Sequence, residues 1–74
     1  MPVDLDEKLG QLLKSRRRSL ALTQADLALR SGLTSRYIRK VECGQASPTV
    51  SALVKLADAL EISPAELMRQ LMDF

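Results

Sequence analysis

The sequence predicts an all-α domain made of five short helices. Apolar residues recur at helical spacing in five successive segments, and the last four segments each follow a Thr or Ser suited to an N-cap. Alternating β-branched runs of the kind that form strands do not occur. The 74 residues suffice for one small domain, which we place over residues 1–74.

Helix 1 is predicted to run from about Leu5 to Arg18. Its apolar stripe consists of four leucines at helical spacing, Leu5, Leu9, Leu12 and Leu13. Acidic residues lie at its start, and three arginines, Arg16, Arg17 and Arg18, lie at its end. This arrangement complements the helix dipole, which gives the arginine run a purely structural explanation.

Helices 2 and 3 are predicted to form a pair joined by a tight turn. Helix 2 begins at Thr23, which pairs with Asp26 in a capping box, and it ends at Gly32. Helix 3 is capped by Thr34 and ends near Cys43. Two short helices joined by a glycine-containing turn are the layout of a helix-turn-helix, although many proteins that bind no DNA contain it too.

Helices 4 and 5 follow a loop that contains a proline. Thr49 is placed to cap helix 4. Ser63 is placed to cap helix 5, with Pro64 at the first helical position and Glu66 where it can reciprocate the cap bond. We expect helix 5 to run to about Asp73.

The composition excludes several classes of site. The chain has no histidine and a single cysteine, Cys43, so we expect no histidine-based catalysis, no metal centre and no disulfide. No glycine-rich phosphate loop is found, and we expect no cofactor. A lone cysteine fits a reducing compartment, and we expect a cytoplasmic protein. The longest apolar runs are a few residues, so no membrane span is expected.

The net charge of +2 conceals an uneven distribution. Residues 11–40 contain eight basic residues and one acidic residue, whereas the segments before and after carry net charges of −2 and −3. A basic block between acidic flanks indicates an anionic partner for the middle of the chain. A solvated surface whose charges happen to cluster explains the same numbers, so charge alone leaves both interpretations open.

Helix 3 is predicted to carry a polar face whose charged side chains are all positive. On a helical wheel, Thr34, Ile38 and Val41 fall within a narrow arc that we assign to the core, and Tyr37 lies beside it. The opposite arc holds four polar residues, Ser35, Arg36, Arg39 and Lys40. Arg36 and Lys40 are like charges at i,i+4, which disfavour an isolated helix. A polyanion bound to this face would explain why both are present. An ordinary basic surface is the alternative.

A long run of spaced residues is more informative than any single motif. The run reads Leu22-Thr23-Gln24-x-x-Leu27-Ala28-x-x-x-Gly32-Leu33-Thr34-x-x-x-Ile38-x-x-x-Glu42-x-Gly44, and it continues through Pro48-x-x-x-x-Leu53-x-Lys55-Leu56-Ala57-x-Ala59-Leu60 and Ile62-Ser63. It resembles the Cro and phage-repressor (XRE) family over about residues 9–67, with the helix-turn-helix at about residues 23–43. The resemblance implies a compact five-helix, lambda-repressor-like DNA-binding domain whose helix-turn-helix is formed by helices 2 and 3.

The resemblance also implies roles for individual residues on double-stranded DNA. Gln24 matches a glutamine that touches a phosphate and supports the recognition helix. The base-reading positions match Ser35, Arg36 and Lys40, and Arg39 is expected to reach a phosphate. The guanidinium of Arg36 suits guanine O6 and N7, whereas Lys40 reads a base or meets a phosphate. The remaining residues assigned to DNA binding are Thr23, Thr34 and Tyr37, of which Tyr37 has core packing as an alternative.

The resemblance implies a structural brace as well, and the sequence departs from the family pattern at two places. Arg17 and Glu42 match an Arg–Glu pair that joins helices 1 and 3. Ala21 stands where the family usually has glycine, so helix 1 is expected to end differently here. The loop before helix 4 lacks the basic residues common in the family, so phosphate contacts there would fall to backbone amides, Ser47 or Thr49.

The C-terminal segment carries more apolar residues than one core stripe requires. A single module presents few base-reading side chains, so specific binding generally needs two modules on half-sites about 34–36 Å apart. We therefore expect a homodimer whose interface includes four residues, Met68, Leu71, Met72 and Phe74. The alternative is that these residues cap the core of the monomer.

Three classes of function remain to be compared. The best supported is a sequence-specific transcriptional regulator that binds double-stranded DNA, a repressor on a palindromic operator. The alternative is a helical protein-interaction module, or an antitoxin or controller component, whose main partner is another protein. An enzyme is the poorest fit, because the sequence contains no nucleophile–base pair and no metal-ligand cluster.

Overall fold

A computed structural model describes residues 4–73, which fold into five α-helices. In chain order they are α1 (Leu5–Ser19), α2 (Gln24–Ser31), α3 (Ser35–Glu42), α4 (Val50–Ala59) and α5 (Pro64–Met72). The all-α prediction is confirmed, and no strand occurs within these residues. Over the same part of the chain, no helix has the length and apolar character needed to cross a bilayer.

Each helix begins at a side chain that accepts a backbone hydrogen bond, as N-caps do. The Thr23 hydroxyl accepts from the Asp26 amide at 3.0 Å, and the Asp26 carboxylate accepts from the Thr23 amide at 2.9 Å, so the predicted capping box is present. Glu66 was predicted to accept a hydrogen bond from the backbone amide of Ser63, the cap residue of α5. Its carboxylate instead accepts from the Arg69 guanidinium at 2.6 Å.

The prediction that Ala21 changes the end of α1 is wrong. Ala21 adopts φ = 58°, the left-handed conformation that glycine would take. The amide of Leu22 donates to the Arg17 carbonyl at 3.1 Å, and that of Ala21 donates to Arg18 at 3.0 Å, which is a Schellman ending. These two bonds hold the backbone in place despite the unfavourable conformation of a non-glycine residue. Glu61 ends α4 in the same way, with φ = 58°.

All five helices contribute side chains to one core. Helix α1 packs on α3 and α5, α2 packs on α3 and α4, and α4 packs on α5. The largest fully buried side chains are Leu13, Leu27, Ile38, Val41, Leu56, Leu60 and Leu67. Thr34, which the helical wheel placed on the buried face, is exposed, because it lies before the first turn of α3 and serves as its cap.

Two contacts of α1 fix its position against the other helices. A Cβ atom added at Gly10 would lie 2.5 Å from the carbonyl oxygen of Val41, so only glycine allows α1 and α3 to approach so closely. The guanidinium of Arg16 donates to the carbonyls of Leu60 and Glu61 at 2.9 and 3.0 Å. Arg16 thereby binds the free carbonyls at the C-terminal end of α4.

Candidate nucleic-acid interface

A buried carboxylate joins the three helices that carry the candidate site. Both oxygens of Glu42, on α3, accept hydrogen bonds from Arg17 on α1, at 2.7 and 3.0 Å. The Nε2 of Gln24, at the start of α2, donates to the same carboxylate at 3.1 Å. The Arg17 side chain is 9% exposed and that of Glu42 is 3% exposed. The hydrogen bond from Gln24 to Glu42 holds the N-terminal end of α2 against the last turn of α3.

The brace also favours the charged form of Arg17. Its hydrogen bonds to Glu42 raise the pKa of the guanidinium above its ordinary value, against the opposing effect of burial. A third donor of Arg17 reaches the carbonyl of Leu22 at 2.8 Å. All described buried side-chain polar atoms have a hydrogen-bond partner, so this polar cluster is fully satisfied.

The outer face of α3 is exposed and carries three positive charges. Its four residues are those predicted from the helical wheel, Ser35, Arg36, Arg39 and Lys40. Among the ion pairs of residues 4–73, none involves a cation of this face. Gln24, Ser35, Arg36 and Arg39 line one surface groove, so the predicted phosphate-binding and base-reading residues lie side by side. Positive charge without internal partners suits a polyanion.

The three remaining predicted DNA-binding residues have structural contacts of their own. The hydroxyls of Thr23 and Thr34 cap α2 and α3, and both residues are exposed beside the helix N-termini, where backbone amides favour phosphate. Tyr37 is half-buried and packs against the core. It also lines a surface depression with Thr34 and Thr49, so it has both a packed side and an open side.

The loop before α4 offers few free side chains for phosphate. The hydroxyl of Ser47 donates to the carboxylate of Asp6 on α1. The hydroxyl of Thr49 accepts from the Ala52 amide at 3.1 Å and caps α4. The Ser47 hydroxyl therefore uses its proton within the fold, whereas the Thr49 hydroxyl acts as an acceptor, as those of Thr23 and Thr34 do.

The residues predicted for a dimer interface separate into three groups. Met72 is 74% exposed and Met68 is 40% exposed on the outer face of α5. Leu71 lies in the core at 7% exposure, so it cannot provide interface area without leaving the core. Phe74 lies outside the described residues. The outer face of α4 adds two exposed side chains that the sequence did not single out, Val50 at 80% and Val54 at 46%.

The family pattern described as helix-turn-helix matches residues 13–67 of this chain. The chain belongs to the helix-turn-helix family. It is therefore a DNA-binding transcriptional regulator, and the resemblance to the XRE type is confirmed. Within residues 4–73, no group of three or more histidine, cysteine or acidic side chains is placed to hold a metal ion.

Three similar proteins are named as a transcriptional repressor or as restriction-modification controllers. The transcriptional repressor RstR of the cryptic phage CTXphi of Vibrio cholerae is 42% identical over 60 residues, which are 81% of this chain and 54% of that repressor. The restriction-modification controller C.AhdI from Aeromonas hydrophila is 42% identical with a TM-score of 0.81, covering 84% of this chain and 94% of that one.

The third is the restriction-modification controller C.Esp1396I, solved as a tetramer with its natural 35-base-pair operator. It is 28% identical with a TM-score of 0.87, and the match covers 97% of this chain and 95% of that one. The structures that this chain is similar to thus include one solved on DNA.

The structure adds contacts that sequence reasoning did not find. Arg16 was assigned to the helix dipole, yet it binds carbonyls at the end of another helix. Arg30 of α2 pairs with Glu61 at 3.3 Å, which ties the helix-turn-helix to the α4–α5 turn. Both contacts join residues more than 30 positions apart in the chain, and no local spacing reveals such pairs.

Proposed function

We propose that the protein is a repressor that binds a palindromic DNA operator as a homodimer and acts in the cytoplasm, with residues 1–74 working as a single DNA-binding domain. The acid-free outer face of α3 carries this proposal. Its three cations have no ion-pair partner among the described residues, and two of them, Arg36 and Arg39, line one groove with Gln24. We propose that the protein acts by binding DNA and is not an enzyme.

The residues of the groove and their neighbours take different roles in this proposal. Arg36 donates two hydrogen bonds to a guanine edge in the major groove, and Ser35 and Lys40 contact adjacent bases. Gln24 and Arg39 contact phosphates, assisted by the N-terminal turns of α2 and α3 at Thr23 and Thr34. Tyr37 contacts the DNA backbone from its open side. Arg17 and Glu42 do not contact DNA in this proposal. They hold α1 and α3 at a constant angle.

The homodimer rests on the exposed apolar side chains of the last two helices. We propose that Met68 and Met72 of α5, with Val50 and Val54 of α4, form a two-fold interface. The four side chains are between 40% and 80% exposed in the monomer, and burying them would stabilise a dimer through the hydrophobic effect. A dimer supplies the second α3 that a palindromic site requires.

A controller of a restriction-modification operon is a second candidate role. Two of the three reported relatives are restriction-modification controllers, and the match to C.AhdI covers 94% of that chain. This role uses the same DNA face and the same dimer. It differs only in which genes the operator governs.

Selection from a random duplex pool tests the DNA-binding proposal. We expect enriched sites with two-fold symmetry, because each protomer places one α3 in the major groove. Enriched sites without symmetry would contradict the dimer, and a pool without enrichment would contradict sequence-specific binding.

Sedimentation of Met72→Asp tests the interface directly. A charge on this exposed side chain should dissociate the dimer, since an unpaired charge is costly in an apolar interface. Ala25→Asp, on the exposed side of α2, introduces the same charge away from α4 and α5 and should leave the mass unchanged. Equal masses for wild type and Met72→Asp at micromolar concentration would reject the interface.

A further inference from the structure

The basic block of residues 11–40 divides into cations used inside the fold and cations left on its surface. Of its eight basic side chains, Arg16 binds carbonyls of α4, Arg17 pairs with Glu42, and Arg30 pairs with Glu61. The other five form no ion pair with a described residue. Three of these five are on the outer face of α3, and the other two are Lys14 and Arg18 on α1.

Lys14 and Arg18 lie on one continuous face of α1. Together with Gln11 and Ser15, they line a shallow surface depression at positions i, i+3, i+4 and i+7. Leu13 and Arg17 point to the opposite, buried side. The acidic residues in this helix are confined to its first turn, so the last two turns carry positive charge alone. We call the four residues Gln11, Lys14, Ser15 and Arg18 the α1 face.

The C-terminal end of α1, which carries Arg18, is held near Gln24, one of the residues that line the groove proposed to bind DNA. Arg17, which precedes Arg18, donates to the carbonyl of Leu22 and shares the Glu42 carboxylate with Gln24. The end of α1 is therefore fixed beside the first residue of α2. Gln24 lines the groove, so a phosphate strand that passed from the groove over Gln24 toward α1 would meet Arg18 first. Lys14 lies one helical turn, about 6 Å, further along.

We propose that Lys14 and Arg18 bind backbone phosphates that flank the half-site read by α3. This inference rests on the proposed DNA face and extends it to a second surface. Two cations without an acid or an aromatic side chain between them suit the regular negative charge of a phosphate strand, and the polar Gln11 and Ser15 add hydrogen-bonding groups. Such contacts are independent of sequence, so the α1 face would strengthen binding at every site without changing which site is preferred.

The salt dependence of operator binding tests the α1 face. Each phosphate contact contributes about 0.9 to the slope of log affinity against log salt, so the Lys14→Gln/Arg18→Gln variant should lose about 1.8 from the slope. The same relation makes it about 60-fold weaker than wild type at about 0.1 M salt and similar near 1 M. Lys55→Gln removes an exposed cation without an ion-pair partner among the described residues, but on α4, and should retain the wild-type slope.

Trimming the DNA shows whether the lost contacts lie on the flanks. A duplex cut back to the two half-sites should bind wild type more weakly than a long duplex, whereas the double variant should bind both equally. A wild-type slope in the double variant would overturn the proposal, and so would an equal effect of trimming on both proteins.

The two proposals can fail separately. If wild type enriches no duplex from the random pool, the proposed operator binding fails. If wild type binds its operator and the double variant matches it in slope and on both duplexes, only the α1 face is rejected. Circular dichroism and urea unfolding of the double variant should match wild type, because Arg18 is exposed, Lys14 is only half-buried, and neither forms an ion pair with a described residue.

Discussion

Glu42 accepts hydrogen bonds from Arg17 through both of its carboxylate oxygens, at 2.7 and 3.0 Å, and so joins the last turn of α3 to α1. Replacing Glu42 with leucine would leave the Arg17 guanidinium charged, buried and unpaired. We expect Glu42→Leu to lower the free energy of unfolding by about 3–5 kcal/mol, as measured by urea denaturation.

The double variant Arg17→Met/Glu42→Leu separates charge from packing. Replacing a buried pair by apolar side chains of similar volume is often neutral, so the double variant should recover most of the lost stability. If it were as unstable as Glu42→Leu, the loss would come from packing and not from the uncompensated charge.

Gly10→Ala should destabilise the protein although alanine favours helices. The new Cβ would lie 2.5 Å from the Val41 carbonyl oxygen and 2.7 Å from that of Glu42, which are backbone atoms that cannot rotate away. We expect a net loss of about 1–3 kcal/mol in the free energy of unfolding, the usual cost of overpacking. Gln11→Ala changes the adjacent exposed residue and should stay within about 0.5 kcal/mol of wild type. Similar values for the two variants would show that α1 and α3 separate freely.

Ala21→Gly should stabilise the protein. Ala21 is exposed and has φ = 58°, so glycine removes the strain of the left-handed conformation without losing a buried contact. We expect a gain of about 0.5–1 kcal/mol in thermal or urea unfolding. The same change at Ala25, which is exposed within α2, should instead cost about 0.5–1 kcal/mol. A loss at both positions would contradict the assignment of strain to Ala21.

Asp26 should make the stability depend on pH. Hydrogen bonds from the backbone amide and the hydroxyl of Thr23 lower the pKa of the Asp26 carboxyl below its ordinary value of 3.8. Because the folded pKa is the lower one, its stabilising contribution is complete above that ordinary value and is lost as pH falls through the folded pKa. We expect Asp26→Asn to be less stable than wild type at pH 7, with a difference that shrinks below about pH 4. A urea-midpoint difference independent of pH would contradict this.

Arg36→Ala and Arg39→Ala should weaken DNA binding in different ways. Arg36→Ala should cost about 1–3 kcal/mol on the selected operator and relax the preference at one base pair. Arg39→Ala should weaken binding to all duplexes alike and lower the salt slope by about 1. Titrations on the operator and on single-base variants distinguish the two effects. An unchanged base preference in Arg36→Ala would show that Arg36 does not contact a base in a sequence-specific way.

The sequence was sufficient for the helices and for the outer face of α3, because both follow from local spacing. Thr23, Thr34, Thr49 and Ser63 cap the helices they were predicted to cap. Leu71 shows where spacing allows two assignments, since it was expected to point inward and was also assigned to the dimer interface. It belongs equally to an apolar stripe and to an interface, and only its packing in the folded chain assigns it to the core.

Ala21 and Glu66 were mispredicted because the decisive contacts involve backbone bonds and competing partners. A left-handed alanine is unfavourable in isolation, and two Schellman hydrogen bonds outweigh that preference. The carboxylate of Glu66 had two possible partners, the cap backbone and Arg69, and a guanidinium one turn ahead offers two donors where the cap offers one amide. Residue type alone does not rank such competitors.

The side chains of Ser35, Arg36, Arg39 and Lys40 form no hydrogen bond or ion pair with the residues that the structure describes, whereas their neighbour Gln24 is bound to the buried Glu42. The first four positions are therefore free to vary at little cost to folding, while a change at Gln24 disturbs a contact that three helices share. Mutational drift or deliberate redesign could retarget this protein to a new operator through those four positions, with the rest of the scaffold left as it is.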